Sequence, residues 1–286
     1  MIEVVVQGLL LGGLYALFAL GLSLMFGVMR LTNTAQGDFI VLAAFGAIAA
    51  TSALSWSPLG VVAILLPLSF AFGYAVQRGV LNRTLGKDPL PSLVVTFGLS
   101  IVIQNALLEL FSADPRSLES DGLNLRSVPL GGGLSVGLLP LLIFAVALAC
   151  TIALQQLFRR TALGRAFRAV SDDREIAELM GLHANKVYAL ATAIAFLVIA
   201  LAGWLQAMRT TVAPSDGPLL LLFAFEAVII GGMGSFWGTF VGAMVLGLTQ
   251  QVGFRIDPGW GIWFGHLMFL AVLVVRPQGL FPKTRG

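Results

Sequence analysis

The chain has 286 residues, of which 58% are hydrophobic and 11% charged, and its formal net charge is +3. Soluble domains carry about a quarter charged residues, so this composition excludes a soluble globule and indicates an integral membrane protein. The small positive charge is typical of basic cytoplasmic loops, so no nucleic-acid partner is expected, and one cysteine with two histidines excludes an internal disulfide and a metal cluster.

Apolar segments of membrane-spanning length follow one another along the chain. They lie at residues 4–28, 39–54, 59–80, 93–111, 138–158, 187–207, 219–232, 237–254 and 261–275. The first is too long for a signal-peptide core and lacks a basic leader, so we expect it to be retained. Segments 39–54 and 219–232 are short, as broken or re-entrant helices are. We predict an all-α polytopic transmembrane helical bundle with about eight or nine spans, some of them broken or re-entrant, in a single domain covering residues 1–286. No strong internal repeat stands out.

Basic residues flank one set of segment ends, which the positive-inside rule makes cytoplasmic. They are Arg30, Arg78, Arg83, Lys87, Arg159, Arg160, Arg165, Arg168, Arg174, Lys186, Arg276, Lys283 and Arg285. Residues 159–187 therefore form a cytoplasmic loop, and the C-terminus is cytoplasmic. The loop at 112–137, with Asp114, Pro115, Asp121 and glycines 131–133, is polar and turn-rich, as an external loop should be.

A polar stretch, residues 30–38, joins the first two spans. Its candidate binding side chains are Asn33, Thr34, Gln36 and Asp38. One interpretation is a solvated cytoplasmic turn in which Asn33 or Thr34 caps the following helix. The other is an unwound segment that dips toward a path through the membrane, where its polar groups would meet a solute. The residues alone leave both open.

Several polar side chains fall inside apolar segments. They are Gln104, Asn105, Glu109, Gln206, Glu226, Gln250 and Gln251. An ionisable group in hydrocarbon costs at least about 2.5 kcal/mol, so it faces the bundle interior or water. Glu226, the one acid well inside a span, either lines or gates a path or makes an interhelical hydrogen bond. Gln104, Asn105 and Glu226 join the polar side chains of 30–38 as candidate path residues, whereas Glu109 is interfacial.

The cytoplasmic loop contains two amphipathic patterns. In the first, Leu163, Phe167 and Val170 form an apolar stripe, and Arg165 and Arg168 lie on another face. Each pattern needs a partner surface.

The second pattern predicts a short helix. It begins at Asp172 as the N-cap residue, with Glu175 three residues on, and ends at Gly181. Its apolar stripe consists of Ile176, Leu179 and Met180.

Glycines recur every four residues, which lets helices approach closely in a membrane. The helix-packing candidates are Gly234, Gly238 and Gly242, and the same step relates Gly8 to Gly12 and Gly261 to Gly265. No GK[ST] follows the glycines at 231–234, so the chain is not expected to bind or hydrolyse a nucleotide. No catalytic set or metal-binding motif is present in the sequence, so catalytic residues, metal ligands and cofactors are not predicted.

Four passages together carry a family resemblance. They are residues 33–38 (NTAQGD), 96–105 (TFGLSIVIQN), 164–204, and 224–247 with the ending 276–281 (RPQGLF). In this combination the chain resembles, nearly end to end, the LivH-type inner-membrane permeases of ABC importers for branched-chain amino acids. Gln36 departs from the family pattern, in which a histidine is common.

The resemblance implies a non-enzymatic permease subunit in the cell inner membrane that imports branched-chain or related hydrophobic amino acids. It also implies several partners: two cytoplasmic ATPase subunits that bind the ATP, a second permease of the companion type or a second copy, and a periplasmic or lipid-anchored binding protein, besides membrane lipid. An ABC permease for urea or short amides is an alternative. A secondary transporter or channel working without an ATPase is another.

The resemblance also suggests a role for the cytoplasmic loop. Residues 175–181 (EIAELMG) resemble the E-A-A-x3-G motif with which ABC permeases dock on their ATPases, with Ile176 in place of the first alanine. The implied ATPase-coupling residues are Gly164, Arg165, Arg168, Asp172, Glu175, Ile176, Ala177, Leu179 and Gly181. Alternatively, the two helices lie on the lipid surface with their basic residues at the headgroups.

Overall fold

The computed structural model describes residues 2–86, 88, 90–120, 122–131 and 134–281. Lys87, Asp121, Lys283, Arg285 and two of the glycines at 131–133 lie outside these ranges, and so do the predictions that name them. The helices in the described part are α1 (Ile2–Met29), α2 (Gln36–Leu54), α3 (Pro58–Gly79), α4 (Leu90–Phe111), α5 (Leu138–Arg160), α6 (Ala162–Asp172), α7 (Arg174–Leu179), α8 (Ala184–Arg209), α9 (Gly217–Gly231), α10 (Phe236–Ile256) and α11 (Gly261–Val275).

Each predicted span coincides with one helix, so the all-α polytopic bundle is confirmed. Seven helices in the described residues are long and apolar enough to cross a membrane. Of the other predicted spans, α11 has 15 residues and is short for a full crossing, and α10 is a 21-residue helix that is not among the seven. The predicted number of about eight or nine spans is therefore approximate.

The helix packing has an internal repeat that is not visible in the sequence. The long helices α1 and α8 lie side by side, the shorter α2 packs mainly on α8, and α9 packs on α1. The helices α2 and α9 also contact each other. The next helix of each group packs on the long helix of the other group, α3 on α8 and α10 on α1. The last helix of each group contacts the short helix of its own group, α4 contacting α2 and α11 contacting α9. An odd number of crossings separates equivalent helices, so the two groups of four run in opposite directions, as in the inverted repeats of transporters.

Glycine allows the closest helix contacts, as predicted, with one correction. On α10, Gly238 and Gly242 lie against the backbone of α9 at Gly231, where a side chain would collide with main-chain atoms. Gly234 is not part of this helix face. It precedes the N-cap residue Ser235 and has a φ of +82°, a left-handed conformation that favours glycine.

The bundle ends differ in structure. The predicted external loop contains a β-hairpin, β1 (Ser127–Gly131) and β2 (Leu134–Gly137), which the sequence pattern did not predict. The loop is held to the end of α8, because Leu118 N–H donates to the Ala207 carbonyl at 2.8 Å. The helices α6 and α7 follow the other end of α5, so the hairpin and the predicted cytoplasmic loop lie at opposite ends.

The RPQGLF segment, residues 276–281, packs on α9. The N–H groups of Leu280 and Phe281 donate to the carbonyls of Ile230 and Gly231 at 2.8 and 3.0 Å. These carbonyls belong to the last turn of α9, where carbonyl groups have no hydrogen-bond donor within their own helix. The RPQGLF ending therefore caps a helix.

Candidate functional site

The helix α2 begins inside the bundle. The extended segment that follows α1 turns back along it, so that Gln36 reaches the middle of α1 and its Nε2 donates to the Phe18 carbonyl at 3.2 Å. Phe18 lies about 16 Å along the helix axis from the end of α1. The space for Gln36 exists because Gly21 has no side chain, since a Cβ there would approach the Gln36 amide.

The helix α9 begins at the same place. It follows the 3-10 turn Pro214–Asp216, and its first residue, Gly217, contacts Gly37 and Asp38. A Cβ on Gly37 would overlap the carbonyl oxygen of Gly217, and a Cβ on Gly217 would overlap the Asp38 carboxylate. We call this meeting point of two helix N-termini, residues 33–38 and 213–217, the half-helix junction.

The Asp38 carboxylate lies in the half-helix junction and is 1% exposed. Gln104 on α4 donates from Nε2 to Asp38 Oδ1 at 2.8 Å. Asp38 is in the first turn of α2 and touches the start of α9, and the N-terminus of each helix carries a partial positive charge. The buried carboxylate is therefore stabilised by two helix dipoles and an amide.

The other polar residues of this stretch are also held by the protein. Asn33 is fully buried, its Oδ1 accepts from the Ala35 N–H at 3.1 Å, and Thr34 Oγ1 lies 2.8 Å from Thr96 Oγ1. The solvated turn is therefore wrong, and neither Asn33 nor Thr34 caps α2, whose N-cap residue is Ala35. Residues 31–35 are an unwound segment inside the bundle, and residues 36–38 form the first turn of α2. That this stretch lines a path stays a prediction.

The polar face of α4 faces the half-helix junction. Thr96, Ser100 and Gln104 recur every four residues and so share one helix face. That spacing was a signal in the sequence for a shared site at Thr96 and Ser100, but only Gln104 was predicted. Asn105 points the other way. It is exposed, and its amide donates to the carbonyl of Ile101 in its own helix at 2.8 Å.

Glu226 lies apart from the half-helix junction, about 13 Å along α9 from its first residue. It is 2% exposed, and its Oε1 is hydrogen-bonded to Nδ1 of His266 on α11. Its Oε2 has no hydrogen-bond partner in the described part of the chain. Glu226 thus makes an interhelical hydrogen bond, and a gating role stays a prediction. A single histidine offers no spacing pattern, so sequence reasoning missed His266.

We expect His266→Ala to lower the melting temperature of the detergent-purified protein more than Glu226→Gln does. The first change leaves a buried carboxylate without its hydrogen bond, which costs about 1–3 kcal/mol or more for a charged group. The second keeps an oxygen that accepts from the imidazole. The double variant Glu226→Gln/His266→Ala should recover part of the loss, and equal melting temperatures for the two single variants would contradict this account.

The first helix of the predicted cytoplasmic loop, α6, is packed on the bundle. Phe167 is fully buried with its ring 5.4 Å from that of Phe158 on α5, and Val170 is buried beside it. Arg168 donates to the Phe158 carbonyl, and Ser171 Oγ donates to the Gly27 carbonyl at the end of α1 at 2.8 Å.

The rest of the first pattern divides between the bundle and the surface. Gly164 lies against the backbone at the end of α5. Leu163 and Arg165 are exposed. Two of the three residues of the first apolar stripe, Phe167 and Val170, are therefore buried within this chain, and Leu163 is not.

The second helix of the predicted cytoplasmic loop, α7, has no such partner in the described part of the chain. Ile176, Leu179 and Met180 are 60%, 87% and 80% exposed, and only Ala177 is buried. Gly181 ends the helix with a φ of +88°, as predicted from its position. Glu175 in the first turn is exposed.

The predicted N-cap residue of α7 is wrong by one position. Asp173 is the N-cap residue, and its Oδ1 accepts from the Ile176 N–H at 3.0 Å. Asp172 is the last residue of α6, because that helix runs one residue further than the pattern suggested.

Asp173→Ala should therefore unwind α7, since loss of an N-cap costs about 1 kcal/mol and a helix of six residues has few other bonds. Hydrogen–deuterium exchange of a peptide covering residues 174–180 should become faster. Asp172→Ala is the matched control and should leave the exchange unchanged. If exchange became faster in Asp172→Ala and not in Asp173→Ala, Asp172 would be the N-cap residue of α7.

These features define a class of protein. A bundle of membrane-spanning helices in inverted repeats, with two helices that begin inside it, is the architecture of a membrane transport subunit. The chain belongs to the family of permease components of branched-chain amino acid transport systems, whose sequence profile matches residues 4–275.

Several individual proteins are similar to this chain. The high-affinity branched-chain amino acid transport system permease protein BraD of Pseudomonas aeruginosa is 29% identical, with 99% of this chain and 96% of BraD covered. The fructose import permease protein FrcC of Rhizobium meliloti is 30% identical over 71% of this chain and 60% of FrcC. PsaBC from Streptococcus pneumoniae, solved in complex with Fab, shares the fold, with a TM-score of 0.50 at 13% identity over 95% of this chain and 91% of that one.

Proposed function

We propose that this chain is the membrane-spanning subunit of an ATP-driven importer of branched-chain or related hydrophobic amino acids. The similarity to BraD over nearly the whole of both chains supports this substrate class. The match to the fructose permease covers a smaller share of each chain. The energy source is a separate proposal, and it rests on α7.

The observation that carries the proposal is the exposed apolar face of α7. Ile176, Leu179 and Met180 project from a short capped helix whose other side is held by Ala177. A short amphipathic helix of this kind fits a hydrophobic groove on another protein. Its charged neighbours Glu175 and Glu178 disfavour an anionic membrane surface, so a cytoplasmic ATPase subunit is the partner we propose.

Movement of the ATPase would reach the membrane through α6. Ser171 connects α6 to Gly27 near the end of α1, and Gly27 faces Gly234 just before α10. A displaced α6 would thus shift α1 and α10 together. Since Gln36 is bonded to the middle of α1, the half-helix junction would move with it. In this proposal the gate would lie where α2 and α9 meet, because movement between two tightly packed helix ends can open or close a path.

The full complex would contain two ATPase subunits, a second permease of the companion type or a second copy of this chain, and a binding protein. The binding protein would dock at the end with the β-hairpin, opposite α7. The exposed apolar faces of α4 and α11 are available for the second permease or for lipid.

Reconstitution tests the proposal. Liposomes with this chain, its companion permease and two ATPase subunits should take up leucine, isoleucine and valine under two conditions. ATP must be present on the side of the membrane that carries the ATPase subunits, and the binding protein must be present on the other side. This chain alone should take up none. Uptake by the chain alone would make it a secondary transporter or channel, and uptake of urea or fructose in preference to leucine would overturn the substrate class.

A further inference from the structure

A basic cavity opens at the end of the bundle that carries α7. It lies between the last turns of α3, the 3-10 turn Leu81–Arg83 and the start of α8, and its volume is about 660 Å³. Arg78, Arg83 and Lys186 line it together with His183. None of the assigned or proposed roles of the chain uses this cavity.

The positive charge of the cavity is not neutralised by the protein. Arg78, Arg83 and Lys186 make no salt bridge with a carboxylate in the described residues. Glu178 is the acid among the lining residues, and it is bonded to Arg174 at 3.1 Å. Three cationic side chains around one recess therefore favour an anion with several oxygens, such as a phosphate group.

The cavity continues into an apolar surface. On α3, Leu68, Ala71, Ala75 and Arg78 lie on one exposed face, and Leu68 is 65% exposed. The small side chains of the two alanines leave a shallow track between the exposed leucine and the cavity. Tyr74 lines the cavity itself, and tyrosine is enriched where transmembrane helices meet lipid headgroups.

We propose that the cavity binds an anionic glycerophospholipid, with its phosphate group at Arg78, Arg83 and Lys186 and an acyl chain along the exposed face of α3. Basic recesses between transmembrane helices on the cytoplasmic side are suited to such headgroups. A soluble phosphate would use the charges but not the apolar track. The lipid would also contact the segment after α7, because Leu182 lines the cavity and donates its N–H to the Ala177 carbonyl.

Native mass spectrometry of the delipidated, purified chain tests this inference without any transport assay. Phosphatidylglycerol or cardiolipin should bind tightly and phosphatidylcholine weakly. The triple variant Arg78→Ala/Arg83→Ala/Lys186→Ala should lose affinity for phosphatidylglycerol roughly 100-fold, at about fivefold for each basic side chain. The control triple variant Arg159→Ala/Arg160→Ala/Arg276→Ala removes exposed charges from the same end and should change the affinity less than twofold.

Three results would overturn the inference. Equal losses in the two triple variants would show that only general surface charge matters. Binding of glycerol 3-phosphate as tight as that of the lipid would show a site for a soluble phosphate. If the triple variant Arg78→Ala/Arg83→Ala/Lys186→Ala bound phosphatidylglycerol normally but lost the ATPase subunits from the purified complex, the cavity would be a protein interface. Unchanged elution on size exclusion and an unchanged melting temperature confirm that each variant is folded.

Discussion

Replacing Gly37 by alanine is expected to lower the melting temperature of the purified protein strongly and to abolish transport. The new Cβ would overlap the Gly217 carbonyl oxygen, so two helix N-termini would have to separate. Overpacking a well-packed core costs about 1–3 kcal/mol, and more where backbone atoms must move. Separation would also loosen the Asp38 carboxylate from the start of α9. Thermal unfolding monitored by size-exclusion chromatography measures the melting temperature. Substrate uptake by the reconstituted complex measures transport.

Gly98→Ala is the matched control for Gly37→Ala. Gly98 lies in α4, and a Cβ there would meet nothing within 4 Å. Alanine is a better helix former than glycine by up to about 1 kcal/mol, so this variant should be neutral or slightly more stable. Gly217→Ala should resemble Gly37→Ala, because its Cβ would overlap the Asp38 carboxylate. If Gly37→Ala and Gly98→Ala had the same melting temperature, the close contact described between α2 and α9 would be wrong.

The half-helix junction shows what the sequence can and cannot predict. Apolar length alone predicted the helices near their observed bounds, because a backbone in hydrocarbon must satisfy its own hydrogen bonds. It could not predict that α2 begins at Gln36, inside the bundle, because a polar start looks the same in water and in a buried junction. The contact between Gly37 and Gly217 joins residues far apart in sequence, and no local pattern encodes it.

The two apolar stripes of the predicted cytoplasmic loop illustrate the same limit. Phe167 with Val170 and Ile176 with Leu179 have similar helical spacing, so periodicity predicted two faces that both need a partner. Packing separates them, since the first face is covered by α5 and the second is uncovered. The family resemblance singled out the second face, but the N-cap residue depended on where α6 ends, and helix ends are weakly specified by sequence.

Leu179→Glu is expected to abolish substrate-stimulated ATP hydrolysis and uptake while the permease still folds and reaches the membrane. Leu179 is 87% exposed, so the change removes no contact within this chain, and the folded state should be unaffected. In the proposed complex the same position lies in an apolar groove, where an unpaired carboxylate costs several kcal/mol. Since each 1.4 kcal/mol is a factor of about ten, affinity for the ATPase should fall at least about 100-fold. Co-purification with the ATPase subunits measures this loss.

Leu163→Glu and Leu179→Met make the result specific. Leu163 is an exposed leucine in the same loop, outside the apolar face of α7, so its replacement by glutamate adds the same charge without entering the proposed groove. It should retain the ATPase subunits and uptake. Leu179→Met keeps an apolar side chain of similar volume and should retain most activity. If both glutamate variants lost the ATPase equally, charge in the loop would be the cause and α7 would not be the docking helix. If Leu179→Glu kept full uptake, the ATPase would have to bind elsewhere.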